Sequence, residues 1–250
     1  MIIVTGVTGW LGKTCIKFFL ENYKQIDFAK NVMVFASKDG ILNINNCSIK
    51  VFNFKTLSNL DKEIKISHIF HTAFLTKEKI NLYGKKEYKR INLEIISTIE
   101  KLIDINPNIR LTITSSGAAL PFLKNNINYS EDIYGYLKAI EEEKLSKYKK
   151  TLILRIFALT GYYIRSPEVF ALSEFIHSAL NKKVINIHSD GIVTRGYGSA
   201  EEIVQLGWHW LFSEEFGSEL NCVSNEIDLF EMAKYIKSII GDIDIQHNLN

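Results

Sequence analysis

The sequence predicts a doubly wound α/β fold, in which helices cover both faces of a parallel β-sheet. Three observations lead to this prediction. Short apolar runs rich in Val, Ile and Phe recur through the first 155 residues, and longer stretches with apolar residues at helical spacing separate most of them. A glycine-rich turn joins the first run to the first helical stretch. Runs that are apolar at every position indicate strands buried on both faces, which is typical of parallel sheets.

Six apolar runs are predicted to be strands, and most of the stretches between them to be helices. The runs are Ile2–Val4, Val32–Phe35, Ile49–Phe52, His68–His71, Leu111–Ile113 and Leu152–Ile156. Two sets of apolar positions each share one helical face: Leu11, Cys15, Phe18 and Phe19, then Ile91, Ile95, Ile99 and Leu102. This alternation predicts one sheet domain over residues 1–157.

The alternation loosens from about residue 158. The stretch "ALTGYYIRSPE" is predicted to be a loop, and Pro167 suits the first turn of a helix that continues to Leu180. Further predicted elements are a strand and turn at "VINIHSDG", helices at Glu201–Phe212 and Leu229–Ile240, and a frayed tail, "DIDIQHNLN". We expect residues 158–250 to form a small C-terminal lobe that is partly interleaved with the sheet.

Composition and charge narrow the function classes. Apolar residues make up 46% and charged residues 23% of the chain, which is typical of globular proteins, and the net charge of +2 gives no electrostatic reason to expect nucleic acid or an anionic membrane as partner. The chain has no apolar run as long as a membrane span and no signal-type start. Three scattered cysteines favour a reduced, cytoplasmic location, and the histidines lack the partners of a metal motif, so we expect no metal.

The glycine-rich turn predicts a dinucleotide site. "VTGVTGWLG" follows the first strand directly and opens the first helix, with Gly6, Gly9 and Gly12 spaced by three. Such a turn needs a tight bend, close approach of the backbone to a diphosphate, and close packing of helix on strand. The helix start then offers unpaired N–H groups to the phosphates. We expect a Rossmann-type domain over residues 1–157, with Thr8, Trp10 and Leu11 also at the cofactor.

The end of the second strand bears on the choice of cofactor. An acidic residue there would hold the adenosine ribose hydroxyls. Here Ala36, Ser37 and Lys38 follow the strand, and the first carboxylate is Asp39. A hydroxyl and an ammonium suit a 2′-phosphate better, which favours NADP over NAD. The alternative is that Lys38 is only a solvated loop residue, which leaves NAD open.

Several motifs together resemble an extended short-chain dehydrogenase/reductase of the nucleotide-sugar epimerase/dehydratase kind. "TGVTGWLG" is similar to the family's TGxxGxxG, and "IFHTAF" to its H-x-A segment, which implies that His71, Thr72 and Ala73 line the cofactor. "RINLEIISTIEKL" resembles the helix that carries Asn92 in the family's Asn place, "TSSGAAL" the end of the catalytic-serine strand, and "YGYLKAIEE" the Y-x-x-x-K motif. "LRIFALTG" and "TRGYGSAEE" resemble two later motifs, with Arg195 in place and Glu202 where Asp usually stands.

The two tyrosines of "YGYLK" can be separated by helical geometry. Residues four apart share a helix face and residues two apart do not, so Tyr134 and not Tyr136 faces Lys138. A nearby ammonium favours the phenolate over the neutral phenol. We therefore expect Tyr134 to be the proton donor and acceptor, and the resemblance implies that Lys138 binds the nicotinamide ribose.

The serine partner of this pair is assigned by the resemblance. Leu120-Pro121 stands where the family has a Tyr-Gly pair, which puts Ser116 in the catalytic position and leaves Ser115 as the second choice. Its hydroxyl would hydrogen-bond the substrate carbonyl oxygen. Gly117 is expected beside the substrate and Thr114 beside the cofactor, whereas His71 is more often structural than a catalytic base.

The expected reaction is hydride transfer between a nicotinamide and a carbonyl or alcohol carbon. Gly117 and Ala118 follow Ser116 where a 4,6-dehydratase has an Asp-Glu pair, so dehydration is disfavoured. A ketoreductase acting on a nucleotide-linked keto sugar is preferred, with Arg195 on the diphosphate. Asn53 stands where an Asp often contacts adenine. The alternatives are an epimerase that retains NAD, a reductase for a non-sugar carbonyl, and a non-catalytic NADP-binding sensor. The resemblance also implies a homodimer and makes residues 158–250 the substrate-binding lobe.

Overall fold

The computed structural model describes residues 1–61, 63–124, 132–164, 170–181, 184–189, 191–241 and 243–247. The chain divides into two compact units. The first contains Met1–Ile156 and Ala200–Cys222, and the second contains Phe157–Ser199 and Val223–Asn250. The part of the C-terminal region that is interleaved with the sheet is therefore Ala200–Cys222.

The described strands and α-helices are numbered in chain order. The strands are β1 (Ile2–Thr5), β2 (Val32–Ala36), β3 (Gly40–Ile44), β4 (Cys47–Asn53), β5 (His68–His71), β6 (Arg110–Ser116), β7 (Thr151–Ile156), β8 (Ala158–Thr160), β9 (Ile185–Ile187), β10 (Thr194–Ser199), β11 (Ser218–Cys222), β12 (Asn225–Asp228) and β13 (Ile245–His247). The helices are α1 (Trp10–Asn22), α2 (Phe28–Asn31), α3 (Ile80–Ile105), α4 (Leu120–Lys124), α5 (Ile133–Leu145), α6 (Ala171–Leu180), α7 (Ala200–Leu211) and α8 (Leu229–Ile240).

An eight-stranded sheet forms the centre of the first unit, in the order β11-β7-β6-β5-β1-β2-β4-β3. Its neighbouring strands are parallel except for β3, which runs antiparallel to β4 at the edge. The chain leaves β1 toward β2 and later returns to the other side of β1 with β5, so the strand order reverses between β1 and β5. The predicted doubly wound fold is confirmed. In such sheets, ligands bind outside the carboxyl ends of the strands at this reversal.

Helices pack on the sheet as the apolar periodicity requires. Helix α7 lies close to the sheet because Gly207 has no side chain: a Cβ there would stand 2.6 Å from the Phe70 ring. Next to it, the Trp208 ring is fully buried and its Nε1 donates to the carbonyl oxygen of Cys15 in α1 at 3.2 Å.

The buried face of helix α3 differs from the face that the sequence predicted. Its fully buried positions are Tyr88, Asn92, Ile96, Ile99 and Ile103, whereas Ile91, Ile95 and Leu102 are half-buried.

The second unit has its own small core. It holds a three-stranded sheet, β12-β10-β8, and a two-stranded sheet, β13-β9. The core residues are Phe175, Ala179, Ile185, Ile187, Met232, Ala233, Ile236 and Ile243. Strand β13 pairs with β9 through Ile245 and Ile185, so the prediction of a frayed tail is wrong for residues 243–247. Pro167 and the predicted start of its helix lie outside the described residues, and α6 ends at Leu180 as expected.

Candidate functional site

The glycine turn closes tightly between the ends of β1 and β5. Gly6 has a φ of +73°, in the left-handed region, and a Cβ there would stand 2.6 Å from the hydroxyl oxygen of Thr72. A Cβ on Gly12 would collide with the carbonyl oxygen of Gly6. Gly9 precedes α1 as its N-cap and offers no side-chain acceptor to the first-turn N–H groups. A backbone bend with a helix start of this kind fits a diphosphate group.

The predicted cofactor residues after β5 wrap the end of β1. The hydroxyl of Thr72 donates to the carbonyl oxygen of Thr5 at 2.7 Å, and the amide of Ala73 donates to the Thr5 hydroxyl oxygen at 3.3 Å. The Nδ1 atom of His71 lies 2.7 Å from the same hydroxyl oxygen. The structure therefore brings His71, Thr72 and Ala73 beside the glycine turn. Thr8 is exposed in that turn, and Trp10 and Leu11 lie in the first turn of α1.

The residues expected near the adenosine gather at the ends of β2 and β4. Ser37 and Lys38 are exposed directly after β2. The Asp39 carboxylate accepts a hydrogen bond from the Asn53 amide at 2.9 Å, and the Asn53 side-chain oxygen accepts one from the Lys55 amide at 3.0 Å. Asn53 thus begins a 3₁₀ turn. The Asp39 carboxylate, which is the first one after β2, is oriented toward β4.

Asn92 lies inside the protein and holds the segment that follows β5. Its side-chain oxygen accepts from the Leu75 amide at 2.8 Å, while the Tyr88 hydroxyl donates to the Leu75 carbonyl oxygen at 2.6 Å. Burial, and to a lesser degree the neighbouring Tyr134 phenol, raises the pKa of Tyr88 well above its ordinary value, so Tyr88 remains a neutral donor. Asn92 therefore orients the segment that contains Phe74.

The two candidate serines at the end of β6 have different partners. The Ser115 hydroxyl donates to Glu142, whose carboxylate also accepts from Arg155 Nη2 at 2.6 Å. The Ser116 oxygen accepts from the Ala118 amide at 3.2 Å and caps the 3₁₀ turn that begins at Gly117. Ser115 is therefore part of a buried ion-pair network. Ser116 is half-buried, and no hydrogen bond among the described residues directs its O–H.

Helix α5 brings the phenol and the ammonium to this strand end. Asp132 caps the helix by accepting from the amides of Tyr134 and Gly135 at 3.1 and 3.3 Å. Gly135 lets the helix approach the 3₁₀ turn that follows β6, because a Cβ there would collide with the carbonyl oxygen of Ala118. The Tyr134 ring meets Phe74 edge-on at 5.9 Å, whereas the Tyr136 ring packs against Phe122 at 6.0 Å.

Lys138 is 4% exposed, and its ammonium contacts three groups in the part of the chain that the structure describes. Its Nζ donates to the Thr114 carbonyl oxygen and to Glu141 Oε2, both at 2.8 Å, and lies 3.8 Å from the centre of the Phe74 ring. Glu141 Oε1 lies 3.5 Å from His71 Nε2. Sequence reasoning missed both Glu141 and Phe74. The spacing of Lys138 and Glu141 by three on one helix was the available signal for the ion pair, whereas no local pattern marks Phe74.

Arg195 lies in the second unit, exposed on β10. It lines a cavity of about 240 Å³ together with Glu174, Phe175, Asn186, His188 and Leu229. Glu202, by contrast, belongs to the first turn of α7 in the first unit. Over the described ranges, the structure contains no cluster of three or more His, Cys, Asp or Glu side chains that could hold a metal ion. No helix in those ranges is long and apolar enough to span a membrane.

A family comparison agrees with this geometry. The model described as the NAD dependent epimerase/dehydratase family matches residues 2–221. The chain belongs to this family. The resemblance drawn from the sequence motifs is therefore confirmed, and the glycine turn at the start of α1 fits the dinucleotide for which the family is named.

The individual proteins described next share between 17% and 26% of their residues with this chain. A dTDP-D-glucose 4,6-dehydratase from Dictyostelium discoideum is 26% identical over 276 aligned residues, which take in 95% of this chain and 62% of that protein. Among solved structures, UDP-N-acetylglucosamine 4-epimerase from Methanobrevibacter ruminantium M1, in complex with UDP-N-acetylmuramic acid, superposes with a TM-score of 0.78 at 19% identity, covering 99% of this chain and 84% of that one. The dTDP-glucose 4,6-dehydratase from Bacillus anthracis, in complex with NAD, gives 0.73 at 17% identity, with 99% and 84% covered. At these identities the superpositions establish the fold.

Proposed function

We propose that this chain is a nicotinamide-dependent oxidoreductase that transfers hydride to or from a sugar carbon of a nucleotide sugar. One observation carries the proposal. The glycine turn, Ser116, Tyr134 and Lys138 all lie at the carboxyl ends of β1, β5 and β6 or on the helix packed beside them. This is the edge of the sheet where the strand order reverses and where ligands of doubly wound folds bind.

Each residue has a role that its surroundings support. The backbone of Gly6, Gly9 and Gly12 would hold the diphosphate, because nothing larger than hydrogen fits at the first and last of these positions. The nicotinamide of the bound dinucleotide supplies or accepts the hydride. Tyr134 would give a proton to the substrate oxygen, and the Ser116 hydroxyl would hydrogen-bond that oxygen as charge builds on it.

Within this reaction class, we propose a ketoreductase first and an epimerase second. Dehydration needs acid and base groups next to the catalytic serine, and Gly117 and Ala118 offer none. The exposed pair Ser37 and Lys38 favours NADP. NAD remains the alternative, and it is the dinucleotide named with the Bacillus anthracis protein. A reductase for a non-sugar carbonyl is a further alternative with the same chemistry.

A non-catalytic dinucleotide sensor is the second candidate class. The observation that favours it is the enclosure of the Lys138 ammonium by Thr114, Glu141 and Phe74. A homodimer formed through α3 and α5 and a cytoplasmic location, which the three free cysteines favour, are also proposals. Light scattering of the purified protein tests the first of these two.

Binding and turnover assays test the function. Calorimetric titration with NAD and NADP is followed by turnover of a panel of nucleotide sugars and simple ketones, using wild type, Tyr134→Phe and the matched control Tyr136→Phe. We expect micromolar binding of at least one dinucleotide, and a loss of turnover of about 10²-fold or more in Tyr134→Phe alone. Equal and negligible rates in all three proteins with intact binding would favour the sensor. Absence of dinucleotide binding would refute both the oxidoreductase and the sensor.

A further inference from the structure

A buried carboxylate that the proposed reaction does not use lies beside Lys138. The side chain of Glu141 is 1% exposed, and its Oε2 accepts from Lys138 Nζ at 2.8 Å. Its other oxygen, Oε1, lies 3.5 Å from His71 Nε2. Within the described chain, both Oε1 and Nε2 are buried without a partner at ordinary hydrogen-bond geometry. A carboxylate in such a dry place is retained only when it is paired.

The other ring nitrogen of His71, Nδ1, contacts the Thr5 hydroxyl at the end of β1. The Thr5 hydroxyl oxygen already accepts from the Ala73 amide, so its own proton is available for His71 Nδ1, which lies 2.7 Å away. When the Thr5 hydroxyl donates to Nδ1, Nε2 carries a proton and presents it to Glu141. A continuous line of polar groups therefore runs from the end of β1 through His71 and Glu141 to Lys138.

The groups around Glu141 favour its charged form. Burial by itself raises the pKa of Glu141, but the Lys138 ammonium and then His71 outweigh it, and the pKa falls below its ordinary value. Glu141 is thus an anion at neutral pH. The groups that face it are Lys138 on its own helix and His71 on β5, while the Thr114 carbonyl oxygen of β6 takes a second ammonium proton.

We propose that Glu141, supported by His71, is a positioning residue that holds the Lys138 ammonium for the nicotinamide half of the dinucleotide. This inference rests on the proposed function. Two of the three ammonium protons are committed to Thr114 and Glu141, and the third side faces the Phe74 ring. A ring face holds an ammonium less strongly than a charged acceptor does. A ribose hydroxyl can therefore displace Phe74 while the two anchors keep Lys138 in place.

Dinucleotide binding provides the first test. Dissociation constants for NAD, NADP and ADP are measured by calorimetry with wild type, Glu141→Gln and the control Glu143→Gln, which makes the same change at an exposed position of the same helix. We expect Glu141→Gln to weaken the better dinucleotide by about tenfold, which corresponds to one charge-assisted contact, and to leave ADP within about twofold, since ADP lacks the nicotinamide half. Glu143→Gln should change neither. Equal weakening of both ligands, or no weakening in folded Glu141→Gln, would overturn the proposal.

A second measurement needs no dinucleotide and separates this inference from the proposed function. Carbon-13 NMR of labelled glutamate side chains follows the pKa of Glu141, assigned by its absence in Glu141→Gln. In Lys138→Met we expect the pKa of Glu141 to rise above its ordinary value, because burial is then opposed by His71 alone. An unchanged pKa would show that the pair does not form. Absence of dinucleotide binding in wild type would refute the proposed function and the role given to Glu141, whereas the NMR result still decides the pairing. Should Glu141→Gln fail to fold, Glu141→Asp takes its place in both measurements, with the same expectations.

Discussion

The buried ion pair between Glu142 and Arg155 offers a quantitative test of the packing behind the candidate site. The Glu142 side chain is 2% exposed, and its carboxylate accepts from Arg155 Nη2 at 2.6 Å and Nε at 2.9 Å, and also from the Ser115 hydroxyl. The Arg155→Met substitution removes the guanidinium and leaves a carboxylate in the interior with only a hydroxyl as partner. Breaking a buried pair in this way costs about 3–5 kcal/mol of unfolding free energy.

The double variant Glu142→Gln/Arg155→Met removes both charges. It distinguishes the unpaired carboxylate from lost packing as the source of the destabilisation. If the cost comes from the unpaired carboxylate, the double variant should recover most of it, because replacing both partners of a buried pair is often nearly neutral. The Arg155 contact with Glu219, whose side chain is half exposed, is lost in both variants and should contribute at most about 1 kcal/mol.

The assay is urea unfolding at pH 7, followed by far-ultraviolet circular dichroism and by tryptophan fluorescence. Coincident transitions by the two probes are required before a two-state free energy is extracted. An Arg155→Met variant within about 1 kcal/mol of wild type would refute the reasoning, since that is the size of an exposed salt bridge. A double variant as unstable as the single one would place the cost in lost packing instead of the orphaned charge.

Four further predictions concern the site itself. Gly12→Ala should destabilise the protein by about 1–3 kcal/mol in urea unfolding and weaken dinucleotide binding, because its Cβ would collide with the Gly6 carbonyl, whereas the open position Gly40→Ala should not; equal behaviour of the two variants would contradict this. The Glu141 carboxylate has a folded pKa below its ordinary 4.5, so the stability it contributes is complete above that pH and is lost as the pH falls through the folded pKa. Wild type should therefore lose unfolding free energy more steeply below about pH 5 than Glu141→Gln does, and parallel pH curves would count against it. Lys38→Gln should lower the affinity for NADP about tenfold and leave that for NAD unchanged in calorimetry; an equal change in both would mean that Lys38 is a solvated loop residue. Ser116→Ala should lower kcat by about 10²-fold with little change in dinucleotide affinity, and an undiminished kcat would remove Ser116 from the reaction.

Local pattern was sufficient for much of this architecture. The six predicted strands lie within β1, β2, β4, β5, β6 and β7 or match them closely, because a strand buried on both faces must be apolar at nearly every position. The shared helix face of Tyr134 and Lys138 could also be predicted from the sequence, since residues four apart lie on one face of any α-helix. The glycine turn could be predicted for a steric reason, because only glycine fits at positions 6 and 12.

Other elements could not be predicted from the local sequence pattern. The edge strand β3 is short and exposed at alternate positions, and β13 is a three-residue strand held only by its pairing with β9. Helix α3 was predicted as a helix, but its buried face was misassigned, because Tyr88 and Asn92 are polar residues that the interior accepts through their bonds to Leu75.

By itself, the sequence determined the sheet, the glycine turn and the shared face of Tyr134 and Lys138, because each follows from the spacing of neighbouring residues. Only the tertiary structure decided which groups surround the ammonium. Phe74 and Thr114 are distant from Lys138 along the chain and meet its ammonium beside the strand ends, while His71 on β5 meets Glu141. Burial makes those contacts strong, since an ammonium removed from water depends on every acceptor it meets.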